Sequence, residues 1–272
     1  MREKTIAVLG PKGSYGEIAA RTYKRDIEPI FYGSHEDVIL AVTKKKAKEG
    51  IVAVENMIHG TVTEVWDLII ENRLNIKEEI IIPIHLCIAA KNSNVKIKEI
   101  ISHPVALEQA KKYIKRKYSG VLLTIEQSTS LAMSIAKSKD GSAAIGNLFA
   151  AKENKLFVID KNIEDYKNNK TRFFVVGYGY SKLCHDKKYK TSIAIYCKKD
   201  MPGLLYKIIT PFAKAKINLT RIESRPTKKK LGAYMFYIDF IGHFETPKVK
   251  KALDIAKKSA SDINVLGSYE SR

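Results

Sequence analysis

Cysteine is scarce: three in 272 residues, Cys87, Cys184 and Cys197, with no C-x-x-C pair. That excludes a disulfide framework and a redox dithiol. A metal site built on Cys184, His185 and Cys197 has too few ligands. A reducing cytoplasm is the expected compartment. Long apolar runs are missing as well. The longest, residues 80–90, contains His85 and falls far short of the roughly 20 residues of a membrane span. Met1, Arg2, Glu3 and Lys4 lead straight into a strand-like run, and no secretory signal is read there. Acidic residues are outnumbered, 29 against 48 basic ones, for a net charge of +19. A basic surplus suits a nucleic-acid partner or an enzyme acting on a small dianion. However, 39 of the 48 basic residues are lysines, gathered on helix faces and loops such as 44–46, 111–117 and 228–230. These clusters lack the aromatic interleaving of a stacking surface. No helix-turn-helix or RNA-binding aromatic motif is found. Neither a nucleic-acid nor a membrane partner is expected.

What is present is a globular composition, 45% apolar and 28% charged, in enough chain for two domains. The first part alternates short apolar runs with helical patterns. Strands are expected at 5–9, 29–32, 51–55, 80–90, 99–102, 122–126, 143–145, 156–159 and 172–176. Helices are expected at 14–25, 35–47, 61–72, 106–117, 131–138 and near 148–153. Strand-then-helix order implies parallel pairing. The run 80–90 reads as a strand crossing between two lobes, and 172–176 as the return. Lobe one is then about 1–77 with 168–180, and lobe two about 78–167. Ligands in such folds sit at the carboxyl ends of the strands. Residues 181–190, rich in lysine, read as a linker. Beyond it the order is strand 192–197, helix 203–216, strand 220–224, strand 234–241, helix 247–259 and strand 263–266, with a polar hairpin turn at 227–232. That is the split β-α-β-β-α-β plan, spanning 191–272.

Six stretches carry candidate chemistry. Gly10, Pro11, Lys12, Gly13, Ser14, Tyr15 and Gly16 lie between a strand and a helix. They read either as a tight turn capped by Ser14 or as an anion site at a helix start. The spacing is neither a dinucleotide fingerprint nor a phosphate-binding loop. Glu55 and Asn56 end the third strand, with Gly60 and Thr61 following. They shape a turn or point into a ligand cleft. Ser102, His103, Pro104, Ala106, Leu107 and Gln109 form another strand-to-helix junction, where His103 is better read as a cap than as a base. Thr171, Arg172 and Phe173 open a strand, and an arginine fork there fits a carboxylate. In the last module, Pro202, Gly203, Leu204 and Leu205 open a helix whose amides suit a carboxylate. Glu223, Ser224, Arg225 and Pro226 close a strand.

Together with the run Ser128, Thr129, Ser130, these motifs resemble, in order, those of prephenate dehydratases with a C-terminal ACT domain. Met57 stands where many members carry a serine, Gly16 replaces a small polar residue, and Gln127 follows Glu126 where some relatives are acidic. The resemblance implies a two-lobed, periplasmic-binding-protein-like α/β catalytic domain over 1–180 and a ferredoxin-like ACT domain over 191–272. No chorismate mutase helix precedes Met1, so the monofunctional form is expected. The implied reaction takes prephenate to phenylpyruvate, in phenylalanine biosynthesis, with no metal or organic cofactor. It assigns Thr171 to the departing hydroxyl. A threonine is a poor lone acid, so Glu55 is nominated as the proton source. Ser14, Asn56, Ser102, Gln109, Ser128, Thr129, Arg172 and Phe173 are expected to contact substrate, with Arg172 and the amides near Ser14 on its carboxylates. L-Phenylalanine is the implied inhibitor, held by Pro202, Gly203, Leu204, Leu205, Glu223, Ser224, Arg225 and Pro226. ACT domains are expected to pair into a homodimer that assembles to a homotetramer. Arogenate dehydratase, and a two-lobed solute-binding protein, are the alternatives.

Overall fold

A computed structural model describes residues 5–184, 186–197, 201–226 and 234–271. The hairpin turn expected at 227–232, His185 and the lysines at 228–230 lie outside the described residues. The chain divides into two compact units: Met1–Leu68 with Ile80–Phe173, and Ile69–Glu79 with Phe174–Arg272.

The first unit is built mainly on two sheets. In chain order it begins β1 (Thr5–Leu9), α1 (Tyr15–Tyr23), β2 (Glu28–Tyr32), α2 (His35–Thr43), β3 (Glu49–Asn56), β4 (Gly60–Thr61) and α3 (Thr63–Glu71). β5 (Asn75–Pro83) and β6 (Cys87–Ala90) follow. The apolar run 80–90 is thus two strands and not one. Pro83 has no N–H to give a ladder, and just beyond it Ile84 donates to Asn169 O (2.9 Å) and Leu86 to the Glu164 carboxylate (2.9 Å). The run still passes from one sheet to the other. The remaining elements are β7 (Glu99–Ser102), α4 (Pro104–Gln109), α5 (Lys111–Lys117), β8 (Leu122–Ile125), α6 (Thr129–Ser138), β9 (Ser142–Gly146), α7 (Leu148–Glu153), β10 (Phe157–Lys161) and β11 (Lys170–Gly177).

One sheet runs β2-β1-β3-β11-β5, with β4 paired to β3, and the other β10-β6-β9-β7-β8. The expected parallel pairing is found for β1 with β2 and β3, and for β7 with β8 and β9. The second sheet is buried on both faces. Cys87 and Ala89 of β6 pack with α6 and α7, while Ile88 and Ala90 pack with α4 and α5. This is the period of two expected of a strand.

The helix expected at 106–117 breaks at Ala110. Asp165 N–H donates to Gln109 O (2.6 Å), and the Asp165 carboxylate accepts from Lys112 N–H (3.0 Å). A residue more than fifty positions away therefore ends one helix and caps the next. Tyr113 and Ile114 of α5 are buried, while Lys111, Lys112, Lys115, Arg116 and Lys117 are exposed, so this lysine cluster is a solvated face.

The second unit holds β12 (Tyr189–Tyr196), α8 (Leu204–Lys214), β13 (Leu219–Pro226), β14 (Tyr234–Ile241), α9 (Pro247–Lys257) and β15 (Asp262–Glu270). This is the expected βαββαβ order. Its antiparallel sheet runs β13-β14-β12-β15. Ile193, Ile195, Phe236, Ile238 and Phe240 make one face apolar against Ile208 and Phe212 of α8 and Val249, Ala252 and Ala256 of α9. The sequence reading draws a limit at 180, whereas compactness groups Ile69–Glu79 and everything from Phe174 onward with this module. Three contacts account for that. Lys190 Nζ reaches both Glu79 oxygens (2.7 and 3.0 Å), Phe174 packs on Tyr269 (centroids 5.6 Å apart), and Gly267 lies so close to β5 that a Cβ there would sit 2.2 Å from Ile76 O. Among the described residues no helix is long and apolar enough to cross a membrane.

Candidate active site and effector pocket

The loop between β1 and α1 is held from inside. Ser14 caps α1, accepting from Glu17 N–H (3.3 Å) and donating its own proton to Leu9 O (3.0 Å). Buried Glu17 accepts from Gly13 N–H (2.8 Å) and from the Arg21 guanidinium (2.7 and 3.0 Å). Gly13 has φ +88°, and a Cβ there would lie 3.2 Å from Ala150 and 3.3 Å from Ser130 Oγ, so only glycine fits. Asn147 donates to Gly13 O (2.8 Å), tying this loop to the start of α7. Tyr15 donates to His85 O (2.8 Å), and burial pushes its phenol above the usual range.

Of the expected substrate contacts, Ser14, Ser102 and Phe173 are held by the fold, whereas Ser128 and Thr129 stand half-buried at the start of α6. The one proton of Ser14 is given to Leu9 O, so it is not available to a carboxylate. Ser102 is fully buried, and its hydroxyl donates to Ile145 O (2.6 Å), tying β7 to β9. Ser128 caps α6 by accepting from Leu131 N–H (3.1 Å). Thr129 opens that helix against Gly146. Phe173 is a core residue. His103 caps α4 by accepting from Val105 N–H (3.3 Å), as read from the sequence.

The polar groups that do converge lie where β3 meets β11. Met57 N–H donates to Lys170 O (3.0 Å), the Asn56 side chain meets Thr171, and Glu55 meets Arg172. Numbers rise on one strand as they fall on the other, the order of antiparallel neighbours, in which directly opposed residues share a face. Asn56 and Thr171 therefore occupy one face, and Glu55 and Arg172 the other.

On the first face, Asn56 Nδ2 donates to Thr171 Oγ1 (2.8 Å), to Asn169 Oδ1 (3.0 Å) and, at 3.3 Å, toward Lys170 O. Asn56 Oδ1 accepts from Ile58 N–H (3.0 Å) and His59 N–H (3.1 Å), which closes the turn into β4. His59 in turn meets Gln109 at the end of α4, Nε2 to Nε2 at 3.1 Å. Gln109 is buried and His59 exposed. Thr171, Asn56 and Gln109 were expected here. Asn169 and His59 were not singled out, although each lies within three residues of one that was.

On the second face, Arg172 Nη1 stands 3.4 Å from Glu55 Oε2, with the arginine side chain 11% exposed and the glutamate 38%. Two expectations are corrected by the pleat. Glu55 is turned toward Arg172 and away from Thr171, and Arg172 is turned away from the face where Thr171 presents its hydroxyl. Among the described residues no group of three or more His, Cys, Asp or Glu side chains is placed to hold a metal ion.

In the second unit, a cavity of about 350 Å³ opens at the start of α8, lined in part by Met201, Gly203, Leu204, Leu205, Ser224 and Phe236. Gly203 caps the helix at φ +78°. Ser224 pairs with Phe236 and Ile222 with Ile238, on the side of the sheet that packs on the helices. Arg221, Glu223 and Arg225 pair with Asp239, Tyr237 and Met235 and take the other side, where Glu223 is bonded to Arg221. Of the expected effector residues, Gly203, Leu204, Leu205 and Ser224 line the cavity. Pro202, Glu223, Arg225 and Pro226 do not, and for Glu223 and Arg225 the alternation of the strand is the reason.

Comparison with known proteins bears on both sites. A family model described as prephenate dehydratase matches residues 6–180, and one described as ACT domain matches residues 191–257. A prephenate dehydratase of Methanocaldococcus jannaschii is 39% identical over 270 residues, 98% of each chain. Two solved structures align with TM-score 0.89. One is a prephenate dehydratase from Arthrobacter aurescens in complex with L-Phe, 30% identical, covering 98% of this chain and 90% of that one. The other is GqqA, described as a novel type of quorum quenching acylase, 26% identical over 98% of both chains.

Proposed function

This chain belongs to the prephenate dehydratase family and carries an ACT domain, and from that premise we propose how its residues turn prephenate into phenylpyruvate. The ring carbon–oxygen bond breaks and hydroxide departs. The bond to the ring-borne carboxylate breaks to release carbon dioxide, and its electron pair completes the aromatic ring. One proton is consumed in making the hydroxide water.

The observation that carries this reading is the 2.8 Å bond from Asn56 Nδ2 to Thr171 Oγ1. A hydroxyl has one proton and two lone pairs. With a lone pair taken by the amide, Thr171 is set to donate its proton, and the departing oxygen is the group that needs one. Threonine is too weak an acid to surrender that proton alone, so an ionisable neighbour replaces it. Glu55 faces Arg172, on the other side of the sheet. His59, which Asn56 holds by its backbone, is the ionisable side chain assigned the role. The amides at the start of α1, at Tyr15 and Gly16, for which no acceptor is found among the described residues, are assigned to a substrate carboxylate.

For the second unit, the cavity at Gly203 and Ser224 lies within the size range of ligand sites, and we assign it L-phenylalanine. The carboxylate sits at the start of α8 and the ring against Phe236. Phenylalanine inhibits because it binds a less active state more tightly. The chain works in the cytoplasm as a homotetramer assembled from two dimers, each paired through the ACT modules. The test is direct. Purified protein is given prephenate or arogenate, and phenylpyruvate and phenylalanine are followed with and without added phenylalanine. Phenylpyruvate from prephenate, suppressed by phenylalanine, is expected. Turnover of arogenate alone would move the assignment to arogenate dehydratase, and no turnover of either would favour a binding protein. Activity flat up to millimolar phenylalanine would remove the effector assignment.

A further inference from the structure

Asn169 stands two residues before Thr171, just ahead of β11, and is 3% exposed. Its backbone is held on both sides: its N–H donates to Tyr166 O (3.4 Å) and its carbonyl accepts from Ile84 N–H (2.9 Å). Its Oδ1 accepts from Asn56 Nδ2 at 3.0 Å. That nitrogen carries two hydrogens at a fixed angle in the amide plane. Committing one to Asn169 aims the other at Thr171 Oγ1, 2.8 Å away. The opposite end of the Asn56 amide cannot turn round, because its oxygen already accepts from Ile58 and His59 N–H. Asn169 therefore completes a hold that leaves one orientation for the Asn56 amide and one lone pair of Thr171 occupied. Its own Nδ2 is buried and has no hydrogen-bond partner among the described residues. Folds seldom leave a buried amide donor unpaired, and here the acceptor oxygen is the end of the side chain that is engaged.

We infer that Asn169 is a positioning residue for the dehydration. Acting through Asn56, it sets the direction in which Thr171 presents its proton. It does not itself touch the substrate.

The inference rests on Thr171 facing the departing oxygen, and a double-mutant cycle tests the two separately. N169A should lower kcat about tenfold or more while KM stays within about threefold, the pattern of an interaction felt in the transition state. N169D retains the acceptor oxygen and should recover kcat to within about threefold of the parent enzyme. In a T171A background, adding N169A should change kcat by less than about twofold, because the residue through which it acts is gone. Thermal melting of each variant checks that the fold persists. Three results would overturn the inference: KM rising at unchanged kcat, N169D no better than N169A, or N169A costing as much without Thr171 as with it. If instead T171A itself were fully active, the assignment of Thr171 would fall first.

Discussion

The two faces of the β3–β11 pair are built from the same two strands and adjacent residues, yet they differ in kind. One carries a chain of neutral groups, Asn169, Asn56 and Thr171, in which hydrogen-bond direction is specified at each step. The other carries an ion pair, Glu55 with Arg172. A neutral chain with a fixed donor direction can present a proton to a departing hydroxide. The charged pair, in which the arginine is nearly buried and the glutamate half-exposed, keeps a cation compensated inside the fold. The same division recurs on β13. Ser224 faces the cavity at Gly203, and its neighbour Glu223 is bonded to Arg221 on the reverse side. In both places residues that read as one motif are dealt by the pleat to two environments.

Substitutions on opposite faces should therefore behave differently. After loss of Thr171 itself, the largest effect is expected from N56A, which removes the donor to Thr171 and the anchor of the turn at Ile58 and His59. Its kcat should fall on the order of a hundredfold, the lower end of what a positioned proton donor contributes. H59Q should cost about tenfold near neutral pH and remove one limb of the kcat pH profile, as for a lost general acid. An unchanged profile would return the proton to another group. On β13, S224A should raise the phenylalanine concentration for half-inhibition about tenfold, roughly one lost hydrogen bond to a charged group. E223Q should leave it within about threefold, since that side chain faces away. Smallest of all, E55Q should keep kcat within about threefold and cost at most about 1 kcal/mol of stability, as for a partly exposed ion pair. A large loss of kcat in E55Q, with the pH profile displaced, would merge the two faces into one site.

Much of the fold was legible because its signals are local. Apolar runs bounded by turn residues mark most strands, alternation with helices predicts parallel pairing, and the βαββαβ order follows from punctuation at Gly203 and the polar turn signal at 227–232. The motifs likewise led to Thr171, Asn56, Gln109, Gly203 and Ser224. What escaped was set by partners far along the chain. Asp165 divides the helix at Ala110, and Asn169 bonds to a side chain 113 residues earlier. Hydroxyl burial was not legible either. Ser102 looks like a ligand contact until β9 is seen to take its proton. Glu55 and Arg172 differ from expectation for a simpler reason: a contiguous motif looks like one surface, although successive residues of a strand face opposite ways. That period was already in the sequence. Applied to Glu55 and Asn56, to Thr171 and Arg172, and to Glu223 and Ser224, it separates each pair.

The central claim is that the neutral face bearing Thr171 carries the chemistry. Its most direct test is phenylpyruvate formation from saturating prephenate by T171A. A fall in kcat of at least about a hundredfold with little change in KM is expected, as for a donor used only in the transition state. A kcat within about threefold of the parent enzyme would contradict it.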